Sequence, residues 1–538
     1  MKKQNFLKGS MILMISAVVA KVLGAMFKIP LTNMLGGVGM SYFSCAYSIF
    51  LPVYSLTVTG LSSAVARMTA HSAAFGMYAN IRRIRRTAML MFAAAGLVGS
   101  AAVYLLADPL SRLSSGSSEA APAIMMIAPA VLFGCITAVW RGYYEGMSNM
   151  YPTALSQAAE GIVKVAAGLW LCGYVSSHSS RLMAYFPQIT DVRALSAAAG
   201  ILGVTLSSLA AAVFFALAGA YSRAQHGGES LLMERRDIAK ELALTALPVG
   251  VSSVVTNLTS MIDMWTIIGC ISRFGCGSSL PAGIPDKDVP DFVYGSYAGI
   301  ALTVFNLVPS VTNMLGKGAL PCITSAWAAR DKKALAEGTS QALLTAALLS
   351  VPAAFGLGVL APDVLGLLFP MQSEEVRLCV MPLRLLMPGM VCLCISFPLF
   401  SMLQAVGRTS APLKIMLAGT AVKLAGNIIL VPFTGADGAA LATSLCYAVI
   451  LAAAMVVYVR ASGVRIAAAP FAGALYAGAL CGCGAYLAAS ICGRFTASGI
   501  VRTAAAIAAG GAVYLLALSL LSLKKKAPRT ICHAVQNV

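Results

Sequence analysis

The chain has 538 residues, 59% of them hydrophobic and 11% charged, with 38 Lys and Arg against 19 Asp and Glu for a net charge of +19. A soluble chain carries about a quarter charged residues, so these totals exclude a soluble globular protein and point to a polytopic membrane protein with short aqueous parts. The basic excess is scattered over short loops, which excludes a nucleic-acid footprint and fits the positive-inside pattern.

Apolar windows of about 20 residues predict fourteen membrane helices, near 9–30, 41–70, 87–107, 122–145, 152–174, 196–222, 242–272, 292–327, 340–361, 378–404, 412–432, 437–460, 467–491 and 499–523. Their runs are long and unbroken, which excludes a β-barrel. Lys2, Lys3 and Lys8 imitate a signal-peptide n-region. Lys21 and Lys28 interrupt the apolar run, however, and no A-x-A site follows, so this segment reads as a retained first span.

The second span opens on Ser41-Tyr42 and carries Phe50; the eighth opens on Ser296-Tyr297 and carries Phe305 at the same spacing. Each runs through a glycine (Gly60, Gly316) into a charged loop. The stretch from Trp140 to Lys164, WRGYYEGMSNMYPTALSQAAEGIVK, has an echo from Gln404 to Lys423, QAVGRTSAPLKIMLAGTAVK. In both, an apolar span ends and a turn with glycine follows (Gly146, Gly407). A proline comes next (Pro152, Pro412), suited to the first turn of a helix. A lysine then stands three turns into the next span (Lys164, Lys423), where it is costly unless it faces a cavity.

Placing the N-terminus inside puts every strong basic loop on one side: Arg82-Arg83-Ile84-Arg85-Arg86, Arg235-Arg236, Arg330-Asp331-Lys332-Lys333, Arg460 with Arg465, and Lys524-Lys525-Lys526. The loop from Asp286 to Asp291 is acidic and falls on the other. Both termini are therefore expected in the cytoplasm, with the chain multi-pass in the plasma membrane. The halves are offset by six spans and share one orientation, a transporter pattern. The fold class expected is all-α: an N-lobe at 1–225 (spans one to six), a C-lobe at 226–462 (spans seven to twelve), two further spans within 463–523, and a basic cytoplasmic tail at 524–538.

Seven basic side chains fall within spans (Lys21, Lys28, Arg67, Lys164, Lys317, Arg384 and Lys423), against Asp263 and Glu160 as the acids at depth. Lys21 and Lys28 are seven apart and share a helix face. Lys28 lies near the outer boundary, where snorkelling is the alternative reading; Arg67 and Arg384 lie near span ends, where snorkelling is the favoured one. Glu160 precedes Lys164 by four residues, the favourable order for an ion pair, and either neutralises that lysine or acts itself. Asp263 either binds a coupling cation or pairs with a basic group. Asn257, Asn306 and Asn313 read as hydrogen-bonding residues between helices. The sign of the set suits an anion, with phosphate as the group that ammonium and guanidinium donors recognise.

The 14 cysteines lie mostly inside spans as small packing residues. Cys481 and Cys483 form C-x-C without a second pair or nearby histidine, so no metal site is expected. No cofactor motif, P-loop or nucleophile–base set is visible, which makes an enzyme the weakest class.

KGSMILMISAVVAKVLGAMFKIPLTNMLG, WRGYYEGMSNMYPTALSQAAEGIVKV and LQAVGRTSAPLKIML with GADGAALATSLCY together resemble the stage V sporulation protein B family. That family belongs with polysaccharide-biosynthesis flippases and lipid II flippases in the MATE-like (MOP) exporter superfamily. The resemblance implies two rocking lobes and a lipid-linked oligosaccharide or peptidoglycan precursor of undecaprenyl-pyrophosphate type. Spans thirteen and fourteen would help to accommodate its lipid tail. Related lipid II flippases carry essential basic residues in the first span, for which Lys21 and Lys28 are the counterparts. H+, Na+ or the membrane potential are the energy sources it suggests, with envelope-biosynthesis enzymes as neighbours. A multidrug/cation antiporter of the same architecture is the second reading, and a non-transporting scaffold the third.

Overall fold

A computed structural model describes residues 6–185, 191–221, 233–275, 284–464, 469–495 and 498–520; the expected basic tail at 524–538 lies outside them. Every regular element among the described residues is helical. Eleven helices are long and apolar enough to cross a membrane, twelve if one bent pair is a single span.

The difference from fourteen has three sources. The first two expected spans run together from Ile15 to Ala74, interrupted by a kink at Gly36 (φ 65°). The eighth is broken, with Asp286–Phe305 bent by 45° against Leu307–Asn313. The seventh lies in Arg235–Phe274, a helix of 40 residues that the count omits. At about 1.5 Å per residue it is long enough to cross a bilayer twice over in thickness.

The chain forms two compact units: residues 1–273 with 285–299, and residues 274–284 with 300–538. The first contains α1 (Phe6–Tyr54), α2 (Gly60–Ala74), α3 (Tyr78–Leu105), α4 (Ala107–Ser115), α5 (Ala121–Ile127), α6 (Pro129–Gly146), α7 (Tyr151–Ser177), α8 (Ser179–Tyr185), α9 (Val192–Tyr221), α10 (Arg235–Phe274) and α11 (Val289–Ser296). α7 packs on α9 and α1, and α6 on α2 and α3. Between α6 and α7, Pro152 occupies the first turn as the sequence pattern requires, but Gly146 ends α6 and the residue with positive φ is Ser148, at 56°. Small residues let the backbones close in. A Cβ added at Gly203 would lie 2.2 Å from the Cα of Gly168.

The second unit contains α12 (Leu302–Phe305), α13 (Leu307–Ala328), α14 (Lys332–Val359), α15 (Ala361–Leu368), α16 (Ser373–Ala405), α17 (Ala411–Thr434), α18 (Ala436–Ser462), α19 (Ala469–Phe495) and α20 (Gly499–Leu520). Asp331 caps α14, accepting from the backbone N–H groups of Lys333 and Ala334 at 3.0 Å each. Gly407 takes φ 83° in the turn before α17, the counterpart of the α6–α7 turn. Leu343, Ala347, Leu399, Met402, Ile450 and Tyr458 form the core where α14, α16 and α18 meet. Tyr458 and Thr339 share a 2.6 Å hydrogen bond inside it. The last two helices pack on α14: Tyr514 donates to the Leu348 carbonyl at 2.7 Å, and Arg502 pairs with Asp363 on α15.

Candidate functional site

In the first unit, α7 turns one face towards α1. Gln157, Gly161, Lys164 and Gly168 recur at helical spacing on that face. Gln157 accepts from the Ser16 hydroxyl at 2.9 Å, and Leu23 and Phe27 fill the space over Gly161 and Gly168. Lys164 is half-buried there; its ammonium donates to the Tyr47 hydroxyl and lies within electrostatic range of Glu160.

Glu160 has a closer partner than Lys164. Arg141 on α6 reaches it at 2.9 Å and places its Nε 3.1 Å from the Ser156 hydroxyl oxygen. The two charged side chains are 16% and 24% exposed. Tyr54 lies within electrostatic range of both. Glu145, on α6 with Arg141, lies within electrostatic range of that guanidinium as well, so two cations, two carboxylates and two phenols share this interior region. An aromatic row on α1 lines it: Phe43 stacks on Tyr47 at 5.6 Å, Tyr47 meets Phe50 at 5.9 Å, and Phe50 meets Tyr54 at 4.9 Å.

The other predicted residues are placed variously. Lys21 is exposed on α1 and Arg67 is exposed on α2. Lys28 donates to the Ala298 carbonyl at 2.9 Å, and Thr32, one turn on, reaches the Gly299 carbonyl at 3.5 Å. Asp263 is 2% exposed on α10, within electrostatic range of Tyr294. In the second unit Lys423 is 3% exposed on α17, in a buried row with Thr420 and Asn427. The Lys317 side chain lies outside the described residues. Asn257 bridges α10 to the π-helical turn between α1 and α2, donating to Ser55 at 2.6 Å, whereas Asn306 bonds its own helix through the Leu302 carbonyl. Arg384, another basic residue near a span end, donates to the Gly358 carbonyl at 3.0 Å.

Sequence reasoning missed two features. Arg141 stood inside the emphasised stretch, but nothing in a linear pattern says which carboxylate it meets. The acidic loop was read for topology alone, yet Asp288 and Asp291 are buried. Arg193 joins Asp288 at 2.7 Å and Asp191 at 2.9 Å, and Ser41 donates to Asp291 at 2.6 Å. Among the described residues, no group of three or more His, Cys, Asp or Glu is placed to hold a metal ion.

Chemically, the α1–α6–α7 region offers two different donors: a fork-shaped guanidinium on Arg141 and an ammonium on Lys164. Residues 6–327 match the family described as "Polysaccharide biosynthesis protein", and residues 296–429 match MatE. Stage V sporulation protein B of Bacillus subtilis (strain 168) is 23% identical over 536 residues, 98% of this chain and 97% of that one. Lipid II flippase MurJ of the same organism is 23% identical over 468 residues, 82% of this chain and 80% of that one. A solved structure of lipid II flippase MurJ, in an inward closed conformation, superposes with a TM-score of 0.65 at 15% identity, covering 95% of this chain and 98% of the other. The fold is therefore that of the MATE-like and MurJ-like membrane transporters.

Proposed function

We propose that this chain, which belongs to the polysaccharide biosynthesis protein family, is a flippase for a lipid-linked anionic glycan. The cargo is an oligosaccharide or peptidoglycan precursor of undecaprenyl-pyrophosphate type, moved from inner to outer leaflet by alternating access. The chain sits in the plasma membrane with both termini cytoplasmic, which the one-sided basic loops support. The observation that carries the reading is the placing of two cations, Arg141 and Lys164, beside Glu160 in the interior of a membrane-embedded unit. The likeness to lipid II flippase MurJ supports it.

Arg141 and Lys164 supply the first contacts to the pyrophosphate, Arg141 exchanging part of its hold on Glu160 for phosphate oxygens. Glu160 keeps both cations in place before cargo arrives and limits the cost of burying them. Lys423 supplies the matching charge from the second half, and Lys21, Lys28, Arg67 and Lys317 extend the basic path. The prenyl tail stays in lipid while the head group crosses. An inside-negative potential favours outward movement of negative charge by about 2.3 kcal/mol per charge per 100 mV. No ATP site is needed.

The test is reconstitution in vesicles with a fluorescent lipid-pyrophosphate sugar. Wild-type protein moves it between leaflets; Lys164→Ala and Lys423→Ala slow transfer by about tenfold or more, the worth of one charged hydrogen bond, with insertion unchanged. Equal rates in all three proteins would sink the reading. A drug/cation antiporter is the second reading, favoured by the MatE match over residues 296–429 and by buried Asp263. It predicts ethidium efflux that survives both lysine changes and stops with Asp263→Asn.

A further inference from the structure

The first three turns of α3 hold Arg82, Arg83, Arg85 and Arg86 and no acidic residue in the first turn. Cations at this end of a helix oppose its dipole. The arginines divide into two pairs by exposure. Arg85 is turned inward and lies on two rings of α6, its guanidinium carbon 4.6 Å from the centre of Trp140 and 5.1 Å from that of Tyr143. Arg83 is half-buried beside it in sequence. Arg82 and Arg86, one turn apart, are exposed.

The exposed pair belongs to a continuous stripe. Tyr78, Arg82, Arg86, Leu90, Leu97 and Leu105 follow at three- and four-residue multiples along one side of α3, with Leu90 70%, Leu97 59% and Leu105 76% exposed. The opposite side is the packed one, with Ile81, Ile84, Ala88 and Phe92 buried. Leucines so exposed on a membrane helix face acyl chains. Arg86 stands 19 residues from Leu105, about 29 Å along the axis, close to the thickness of one hydrocarbon core. The two exposed arginines are thus at phosphate depth when the leucines are at acyl depth. Tyr78 at 36% and Phe75 at 69% exposure continue outward as interfacial aromatics.

We infer that this stripe of α3 is a seat for an anionic glycerophospholipid of the leaflet next to Tyr78. Arg82 and Arg86 take the headgroup phosphate, and Leu90 and Leu97 receive an acyl chain. Arg85, held on Trp140 and Tyr143, fixes the rotation of the helix that presents them and adds to the local field. A lipid fits where a free phosphate does not, because the basic pair runs without interruption into acyl-facing leucines. This surface lies on the outside of α3 and is separate from the Arg141–Glu160–Lys164 group, so it does not depend on the activity proposed above.

The experiment uses the full chain in nanodiscs of equimolar phosphatidylglycerol and phosphatidylcholine, followed by detergent release and native mass spectrometry. Wild-type protein retains phosphatidylglycerol in preference to phosphatidylcholine. Arg82→Gln/Arg86→Gln weakens that retention by about tenfold or more, since each interfacial arginine contributes an appreciable attraction to anionic lipid. Arg82→Lys/Arg86→Lys retains most of it, and Leu90→Ser/Leu97→Ser lowers it while leaving the basic pair intact. Arg377→Gln, an exposed arginine on α16, has no effect. Unchanged retention in the glutamine variant, an equal loss with Arg377→Gln, or displacement of the lipid by inorganic phosphate alone would each overturn the inference. Elution of each variant at the wild-type volume in gel filtration separates a lost site from a lost fold.

Discussion

Arg141 and Glu160, 19 residues apart and on two different helices, meet in a 2.9 Å ion pair that ties α6 to α7 behind their connecting turn. Both are mostly out of water, so removal of either partner leaves a charge without its main neighbour. Glu160→Ala is expected to destabilise the protein by about 2–4 kcal/mol, near the range for breaking a buried pair but reduced by the residual exposure. Arg141→Met/Glu160→Leu recovers part of that loss. Thermal unfolding in one detergent checks both.

Lys423, nearly inaccessible on α17, separates a structural from a functional lysine. Lys423→Met keeps the length and apolar stem of the side chain. If the ammonium serves cargo, flipping falls by about tenfold while the unfolding midpoint holds within a few degrees. A purely structural lysine gives the reverse pattern. Paired measurements of transfer rate and unfolding midpoint on one preparation decide between them.

The Arg193 network predicts a measurable coupling. Arg193→Leu strands Asp191 and Asp288, of which Asp288 is buried, and is expected to cost about 2–3 kcal/mol. Asp288→Asn costs less, because a polar partner for the guanidinium remains. Their double-mutant cycle should give about 1 kcal/mol or more of coupling, in line with contacting residues in one network. Strict additivity in thermal unfolding would contradict the contact.

Gly37 and Gly295 allow α1 and α11 to touch through their backbones. A Cβ added at Gly295 would lie 1.7 Å from the Gly37 carbonyl oxygen. Gly295→Ala therefore forces the segments apart and is expected to cost about 3 kcal/mol or more, at or above the upper end of core overpacking. Gly269→Ala, with nothing within 4 Å of the added atom, is the control. Expression level and unfolding midpoint of the two variants should differ clearly.

Much of this architecture was legible because membrane helices announce themselves by length and apolar composition. The two turns were plain in part: Pro152 and Pro412 fix φ at the starts of α7 and α17 and Gly407 supplies a positive φ, but in the first turn Ser148 rather than Gly146 takes that role. Gln157, Gly161 and Lys164 could be set on one face of α7 by periodicity alone. What that face meets is a tertiary fact, and the choice of Arg141 as the nearer partner of Glu160 followed from how α6 lies against α7. The acidic loop misled for a related reason. Carboxylates flanked by prolines and charges look solvated, and only the approach of Arg193 and Ser41 makes their burial tolerable. Lys28 was read as a cavity or snorkelling residue, and the π-helical segment containing Ala298, whose carbonyl it meets, has no sequence signature of its own.

Gly36 has one more implication for how this protein should be studied. Its backbone, at φ 65° and ψ −175°, sits where a residue with a side chain is strained. The helix before it carries Lys21 and Lys28; the helix after it carries Tyr47 and Tyr54. A spin label near residue 19 and another near residue 52 would therefore report separate axes, one on each side of the kink.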